Sequence, residues 1–255
     1  MSGRIAIITG GTTGIGLACA LALQARGHQV AVGARRGGDR AVQADVAAVL
    51  GPDALVAALD VASRTSVDSF VAAVRGRLGP ATILVNAAGI YREGFLHNHS
   101  EGDWTDQIDI NLSGAFRMTR AVYPDMVEAR WGRVANIAST AGTKGAAGYA
   151  AYCASKAGLI GLSKATAVEG AHHGISCIAV SPTWVETPMM AAAFDRIAAE
   201  RQISAAQARA ALTASNPQGR IVQPGEVAAM VDFFCSALAH GLTNVDVQIN
   251  AGADW

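Results

Sequence analysis

The chain has 255 residues, 51% of them hydrophobic, and its 20 Lys plus Arg balance 20 Asp plus Glu. With no basic run longer than Arg35-Arg36 and no apolar run near the ~20 residues of a membrane span, neither nucleic acid nor membrane is an expected partner. The four cysteines, Cys19, Cys153, Cys177 and Cys235, are scattered, with no Cys-x-x-Cys and no clustered His. They read as reduced thiols rather than a disulfide framework, and no metal site is expected.

Arg4 to Thr9 reads as a first strand with no leader ahead of it, so cytoplasmic residence is the expectation. Further short apolar runs predict strands over Gln29 to Ala34, Ala54 to Leu59, Ile83 to Asn86, Arg133 to Ala138, Ile175 to Val180 and Asn244 to Ile249. Helical patterns intervene over Gly14 to Arg26, Ala41 to Leu50, Ser63 to Arg77, Glu101 to Arg130, Tyr149 to His172 and Pro224 to Ala237. Near-continuous hydrophobicity in the strands implies burial on both faces, the condition of a parallel sheet flanked by helices. The alternation predicts a single α/β domain over residues 1–255, a doubly wound sheet of about seven parallel strands with helices on both faces. The Ala-rich stretch at about 187–217 breaks the rhythm and ends on the turn signal Asn216-Pro217-Gln218-Gly219. It reads either as a packed helical pair or as a substrate lid over the carboxyl ends of the strands, where such sheets bind ligands; the lid is favoured.

Between the first strand and the first helix lies Thr9-Gly10-Gly11-Thr12-Thr13-Gly14-Ile15-Gly16. Gly10 suits the tight turn, Gly14 a close backbone approach to a pyrophosphate, and Gly16 close packing of helix on strand. The helix N-terminus then presents free N–H groups to phosphate. At the end of the second strand, where an acidic residue would accept from an adenosine ribose diol, stand Arg35 and Arg36. Guanidinium groups bind a 2′-phosphate, so NADP(H) is favoured over NAD(H). Asp60, after the third strand, is a candidate acceptor from the adenine amino group, or else a helix cap near Ser63.

Tyr152 and Lys156 are one helical turn apart, and Ser139 closes the strand-like run before them. An ammonium on the same helix face as a phenol is expected to pull its pKa down from ~10, making it a proton donor or acceptor nearer neutrality. A serine hydroxyl beside it could bond the same substrate oxygen. Alcohol and carbonyl interconversion is the chemistry this arrangement suits.

Together these residues closely resemble the short-chain dehydrogenase/reductase family, over about Arg4 to Ala251. The resemblance is carried by the glycine-rich turn, Asp60-Val61, Asn86-Ala87-Ala88-Gly89, Asn111, Asn136-Ile137-Ala138-Ser139, Tyr152-Cys153-Ala154-Ser155-Lys156 and Ser181-Pro182-Thr183-Trp184-Val185-Glu186-Thr187-Pro188. It implies a Rossmann-type fold and a catalytic tetrad of Asn111, Ser139, Tyr152 and Lys156. In it Tyr152 protonates the carbonyl oxygen, Ser139 bonds it, Lys156 lowers the phenol pKa and holds the nicotinamide ribose, and Asn111 holds a proton-relay water. It also implies cofactor contacts from Gly10, Thr12, Thr13, Gly14, Ile15, Gly16, Asp60, Val61, Asn86, Ala87, Ala88, Gly89, Pro182, Thr183, Val185 and Thr187, and assembly as a homodimer or homotetramer. Two positions depart from the family: Ala87 replaces a second asparagine, and Thr183 replaces a glycine.

For the substrate, a secondary alcohol or ketone, the expected contacts are Ser139, Gly142, Thr143, Lys144, Trp184, Met189, Met190 and Phe194. The loops look similar to those of polyketide and acyl-thioester ketoreductases, which points to cyclic or β-oxo ketones. The alternatives are the same chemistry with NAD(H), a non-catalytic dinucleotide sensor, and dehydration or epimerisation through a keto intermediate. The complete tetrad argues against the sensor.

Overall fold

Burial on both faces is what the apolar runs require, and the computed structural model, which describes residues 3–253, provides it. The strands are β1 (Ile5–Thr9), β2 (Gln29–Ala34), β3 (Leu55–Ala58), β4 (Ile83–Asn86), β5 (Gly132–Ile137), β6 (Ile175–Pro182) and β7 (Asp246–Ile249). They form one seven-stranded sheet in the order β3-β2-β1-β4-β5-β6-β7, and every pairing is parallel. Every residue of β4, β5 and β6 is buried. The chain winds outward from β1 to β3, then returns to place β4 beside β1 and winds the other way. The crevice at this reversal is where the fold predicts a ligand.

Helices cover both faces. On one, α1 (Gly14–Ala25), α2 (Arg40–Leu50) and α9 (Pro224–Cys235) bring Leu23, Val46, Val231 and Phe234 against Ile8, Val32 and Val180. On the other, α3 (Arg64–Arg77) and α5 (Gly114–Ala129) bring Phe70, Val74, Met118 and Val122 against Ile7, Leu84 and Val134. The long α6 (Ala150–Gly170) packs there too, through Ala167.

Two segments refine the sequence reading. The helix expected over Glu101 to Arg130 is divided into α4 (Glu101–Ile108), a π-helical turn (Asp109–Ser113) and α5, and the wide turn carries Asn111. The 187–217 stretch is a helical pair, α7 (Pro188–Arg201) and α8 (Ala205–Ser215). Its Met190, Phe194, Ala198 and Ala208 form a small core with Ile221. No helix among the described residues is long and apolar enough to cross a membrane, and they hold no cluster suited to a metal ion.

One polar bridge crosses the layers. Fully buried Asn136 on β5 accepts from Asn86 Nδ2 at 2.8 Å and donates to Ser163 Oγ on α6 at 2.8 Å. Asn86 also donates to Thr119 Oγ1 on α5 at 3.3 Å. Asn136→Ala strands groups on two elements without access to water, so a loss of about 1–3 kcal/mol is expected in denaturant unfolding. Wild-type stability in that variant would show the bridge to be dispensable.

Candidate active site

The turn after β1 meets its steric demands with glycine. Gly10 has φ 63°, and a Cβ on Gly16 would lie 2.4 Å from the Gly10 carbonyl oxygen. Thr13 precedes α1 in extended conformation without a side-chain cap. The first N–H groups of α1 are therefore available to an anion. Thr9 Oγ1 accepts from Ala87 N at 3.1 Å and Ala88 N at 3.0 Å, which ties the end of β1 to the loop after β4.

A groove at this reversal is lined by Gly10, Thr12, Thr13, Arg35, Asp60, Val61, Ala88, Gly89, Ile90 and Ile110 among others. Asp60 Oδ1 accepts from Ala62 N, whereas the cap of α3 is Ser63; Asp60 therefore stays in the groove wall. Among the expected cofactor contacts, the Arg36 and Asn86 side chains are directed elsewhere. Arg36 turns to Asp39, with Nε 2.8 Å from Oδ2, and the Asn86 amide is committed to the interior bridge just described. What remains of the Asn86 contribution is the position of the loop that follows it.

The groove opens at Gly89 and Ile90 into a second cavity at the carboxyl ends of β4, β5 and β6. Its wall includes Ile15, Ala87, Ser139, Tyr152, Lys156, Pro182, Thr183, Trp184, Val185, Thr187, Met189 and Met190. Of the expected substrate contacts, Gly142, Thr143, Lys144 and Phe194 are not part of this wall. The chain after Ser139 makes a short 3-10 turn, Thr140–Gly142, that seats Gly142 on the Lys156 backbone and sends Thr143 and Lys144 to the surface. Phe194 is spent in the α7–α8 core. The wall instead recruits Tyr91, Thr140, Ala141, Tyr149 and Ala193.

Ser139 Oγ accepts from Ala141 N at 3.1 Å, which leaves its own proton free to donate. Lys156 is 4% exposed; its Nζ donates to the Ile137 carbonyl at 2.8 Å and lies 5.6 Å from the Tyr152 ring centre. Asn111 accepts from Ile90 N at 2.8 Å and donates to Ile90 O at 2.9 Å and Ser155 Oγ at 3.0 Å. A Cβ on Gly89 would lie 3.3 Å from Asn111 Oδ1 and 3.6 Å from Lys156 Nζ, so glycine keeps the space between them open. The tetrad expected from sequence thus converges on one edge of the sheet.

The electrostatics differ from the sequence expectation. Burial pushes the Tyr152 phenol up to about 12, opposed by a hydrogen bond with Ser139. Burial pushes Lys156 down to about 8. The expected lowering of the phenol by the ammonium is not met in the cofactor-free chain, because desolvation acts against both charged forms.

Sequence reasoning missed Thr9, Tyr91, Tyr149 and Ser155. Only Thr9, adjoining the glycine-rich turn, and Tyr149 and Ser155, flanking Tyr152, stood close enough in sequence to a recognised motif to be found. Tyr91 stacks on Tyr149, centres 5.0 Å apart, and meets Tyr152 edge-on at 5.4 Å.

Comparison with known proteins agrees with this geometry. Residues 4–198 match the family model described as short chain dehydrogenase. Acetoacetyl-CoA reductase of Rhizobium meliloti (strain 1021) is 36% identical over 249 residues, 98% of each chain. The 3-oxoacyl-[acyl-carrier-protein] reductase FabG of Escherichia coli (strain K12) is 37% identical, over 98% of this chain and 97% of its own. Among solved structures, a variant of actinorhodin polyketide ketoreductase with NADPH superposes with TM-score 0.94 at 37% identity, covering 100% of this chain and 99% of that one. Levodione reductase superposes with TM-score 0.91 at 28% identity, over 99% and 98%.

The Lys156 shift has a thermodynamic signature. A lysine whose folded pKa is about 8 against an ordinary 10.5 binds fewer protons folded than unfolded between those values, so its penalty on stability is full below pH 8 and fades above it. Relative to Lys156→Met, the wild-type chain is expected to gain stability as pH rises from about 8 toward 10.5, read by denaturant midpoints. A pH-independent difference would place Lys156 at its ordinary value.

Proposed function

The chain belongs to the short-chain dehydrogenase family, and on that premise we propose that it interconverts a ketone and a secondary alcohol with NADP(H), with reduction as the working direction. The observation that carries this reading is the convergence of Ser139, Tyr152, Lys156 and Asn111 on a cavity continuous with the groove of the glycine-rich turn. The residues fit a dinucleotide: the uncapped N-terminus of α1 suits the pyrophosphate, Arg35 the 2′-phosphate, Asp60 the adenine, and Ala87, Pro182, Val185 and Thr187 the nicotinamide end. NADPH, when bound, supplies the hydride.

The protein side of the reaction is acid catalysis. Tyr152, protonated throughout the neutral range, donates to the carbonyl oxygen, and the free proton of Ser139 bonds the same atom. Re-protonation of the phenolate from the Lys156 ammonium is downhill, since Lys156 is the stronger acid of the pair. Both Asn111 amide protons are committed, so a relay water has an Oδ1 lone pair and the Asn111 main-chain carbonyl to bind. The phenol is protonated at neutral pH, the form that ketone reduction consumes, which is why reduction is taken as the working direction.

The names of the relatives support a 3-oxo or cyclic ketone as substrate. Trp104 and Phe116 on α4 and α5, and Phe233 on α9 with Leu238 beyond it, remain exposed, in keeping with a homodimer or homotetramer. Cytoplasmic residence is part of the same reading.

Purified protein is expected to oxidise NADPH in the presence of a panel of cyclic and 3-oxo ketones, and NADH much more slowly. Tyr152→Phe should lower kcat by on the order of 10²- to 10⁴-fold; full turnover by that variant would refute the mechanism. Arg35→Ala should weaken NADPH binding by roughly tenfold or more, leave NADH unchanged, and exceed the effect of Arg36→Ala. Equal losses for both cofactors would remove the 2′-phosphate assignment.

A further inference from the structure

A cluster beside the tetrad is not used by the mechanism above. The segment Ile90 to Arg92 is pinned by two amide side chains one helical turn apart. Asn111 makes two hydrogen bonds to the Ile90 backbone, and Gln107 two to that of Arg92, accepting from N at 3.0 Å and donating to O at 3.1 Å. Arg92 is further held by Asp103 and Asp106. Tyr91, between these clamps, is therefore fixed to the body of the fold.

The lid reaches this fixed ring. Arg196 on α7 donates to the Tyr91 hydroxyl at 3.0 Å, pairs with Glu93 at 2.8 Å, and lies over the Tyr91 ring at 4.9 Å. The Tyr91 hydroxyl in turn donates to Glu93 at 3.0 Å, and burial, then Tyr149, hold it above the ordinary phenol range, so it remains a donor. The ring is stacked on Tyr149 and abuts Tyr152.

We propose that Tyr91 is a positioning residue for Tyr152 and the post on which the lid docks, with Arg196 and Glu93 as the latch that couples lid closure to the orientation of the general acid. The inference rests on the ketoreductase reading but is separable from it. The lid bears on the catalytic tyrosine through Tyr91: Arg196 contacts its hydroxyl and ring, and the ring meets Tyr152 edge-on. The other groups facing Tyr152 are Ser139 from the loop after β5 and Tyr149, Cys153 and Lys156 of the α6 segment.

The test compares Tyr91→Ala, Tyr91→Phe, Arg196→Ala and Arg196→Lys with wild type in NADPH-dependent ketone reduction. It is joined to NMR titration of Tyr152 in the cofactor-free chain, which needs no turnover. Tyr91→Ala should lower kcat by on the order of ten- to a hundredfold and bring the Tyr152 titration down from about 12. Tyr91→Phe keeps the ring and loses the latch. It should match Arg196→Ala, with a raised KM, a smaller change in kcat and an unmoved Tyr152 titration, and Arg196→Lys should recover part of the KM. Wild-type kcat and titration in Tyr91→Ala, or Tyr91→Phe as damaging as Tyr91→Ala, would overturn the proposal. Should Tyr91→Ala fail to fold, the Tyr91→Phe and Arg196 variants still decide, because unaltered KM in both would leave no latch. A wild-type chain that reduces no ketone would count against the proposed function, while the titration would still report on Tyr91.

Discussion

A lysine buried at the carboxyl ends of the strands makes an exacting demand on this fold. Lys156 is nearly inaccessible to water, and among the described residues it forms no ion pair to offset its desolvation. Its one neutral partner is the Ile137 carbonyl, available because β5 ends there and the chain leaves the sheet at Ser139. Placing that carbonyl, the Gly89 gap and the Tyr152 ring around one ammonium fixes the register of β5, the loop after β4 and the start of α6 together. The cost appears as a depressed lysine pKa and a raised phenol pKa. That is a poor arrangement for a static structure and a suitable one for passing a proton.

The same edge joins the glycine-rich turn and the α7–α8 pair mechanically. Gly14, in the first turn of α1, faces Thr187, whose Cγ2 would lie 3.2 Å from a Cβ placed there. Thr187 caps α7 by accepting from Met190 N. α7 therefore starts against the glycine-rich turn and, farther along its length, meets Tyr91 through Arg196. One helix thus touches both the glycine-rich turn and the aromatic cluster.

Much of this was legible in the sequence where a local pattern carries the information. Runs such as Ile83 to Asn86 and Ile175 to Val180 read as buried parallel strands because both faces had to be apolar. Gly10 and Gly16 read as turn and packing residues because no side chain fits there. The approach of Ser139, Tyr152 and Lys156 was legible as spacing, while Asn111 came in only with the family resemblance. The π turn at Asp109–Ser113 was not, since its residues are helix-compatible and only the demand that Asn111 reach Ile90 and Ser155 selects the wider turn. Asn86 was read toward the cofactor, whereas its amide nitrogen points into the interior, donating to Asn136 and Thr119. The pKa inversion was illegible for a similar reason: spacing shows that Lys156 can approach Tyr152, but burial decides which effect wins.

The reaction is more legible than the substrate, and the cavity gives the physical reason. Apart from Lys156, its wall contains no charged side chain. The hydroxyls of Ser139 and Tyr152 are concentrated at one point, while Ile90, Trp184, Met189, Met190 and Ala193 offer apolar surface. Discrimination on such a surface runs at about 1–3 kcal/mol per methylene of misfit and depends on shape, set by α7 and the Tyr91 loop together. Thr140 and Thr183 each add to this wall a buried hydroxyl without a hydrogen-bond partner, Thr183 at the position where the family places glycine. The motif residues are thus written in a few residue types at fixed spacing, whereas the shape of the cavity is written in the packing of α7, whose contour no short motif encodes.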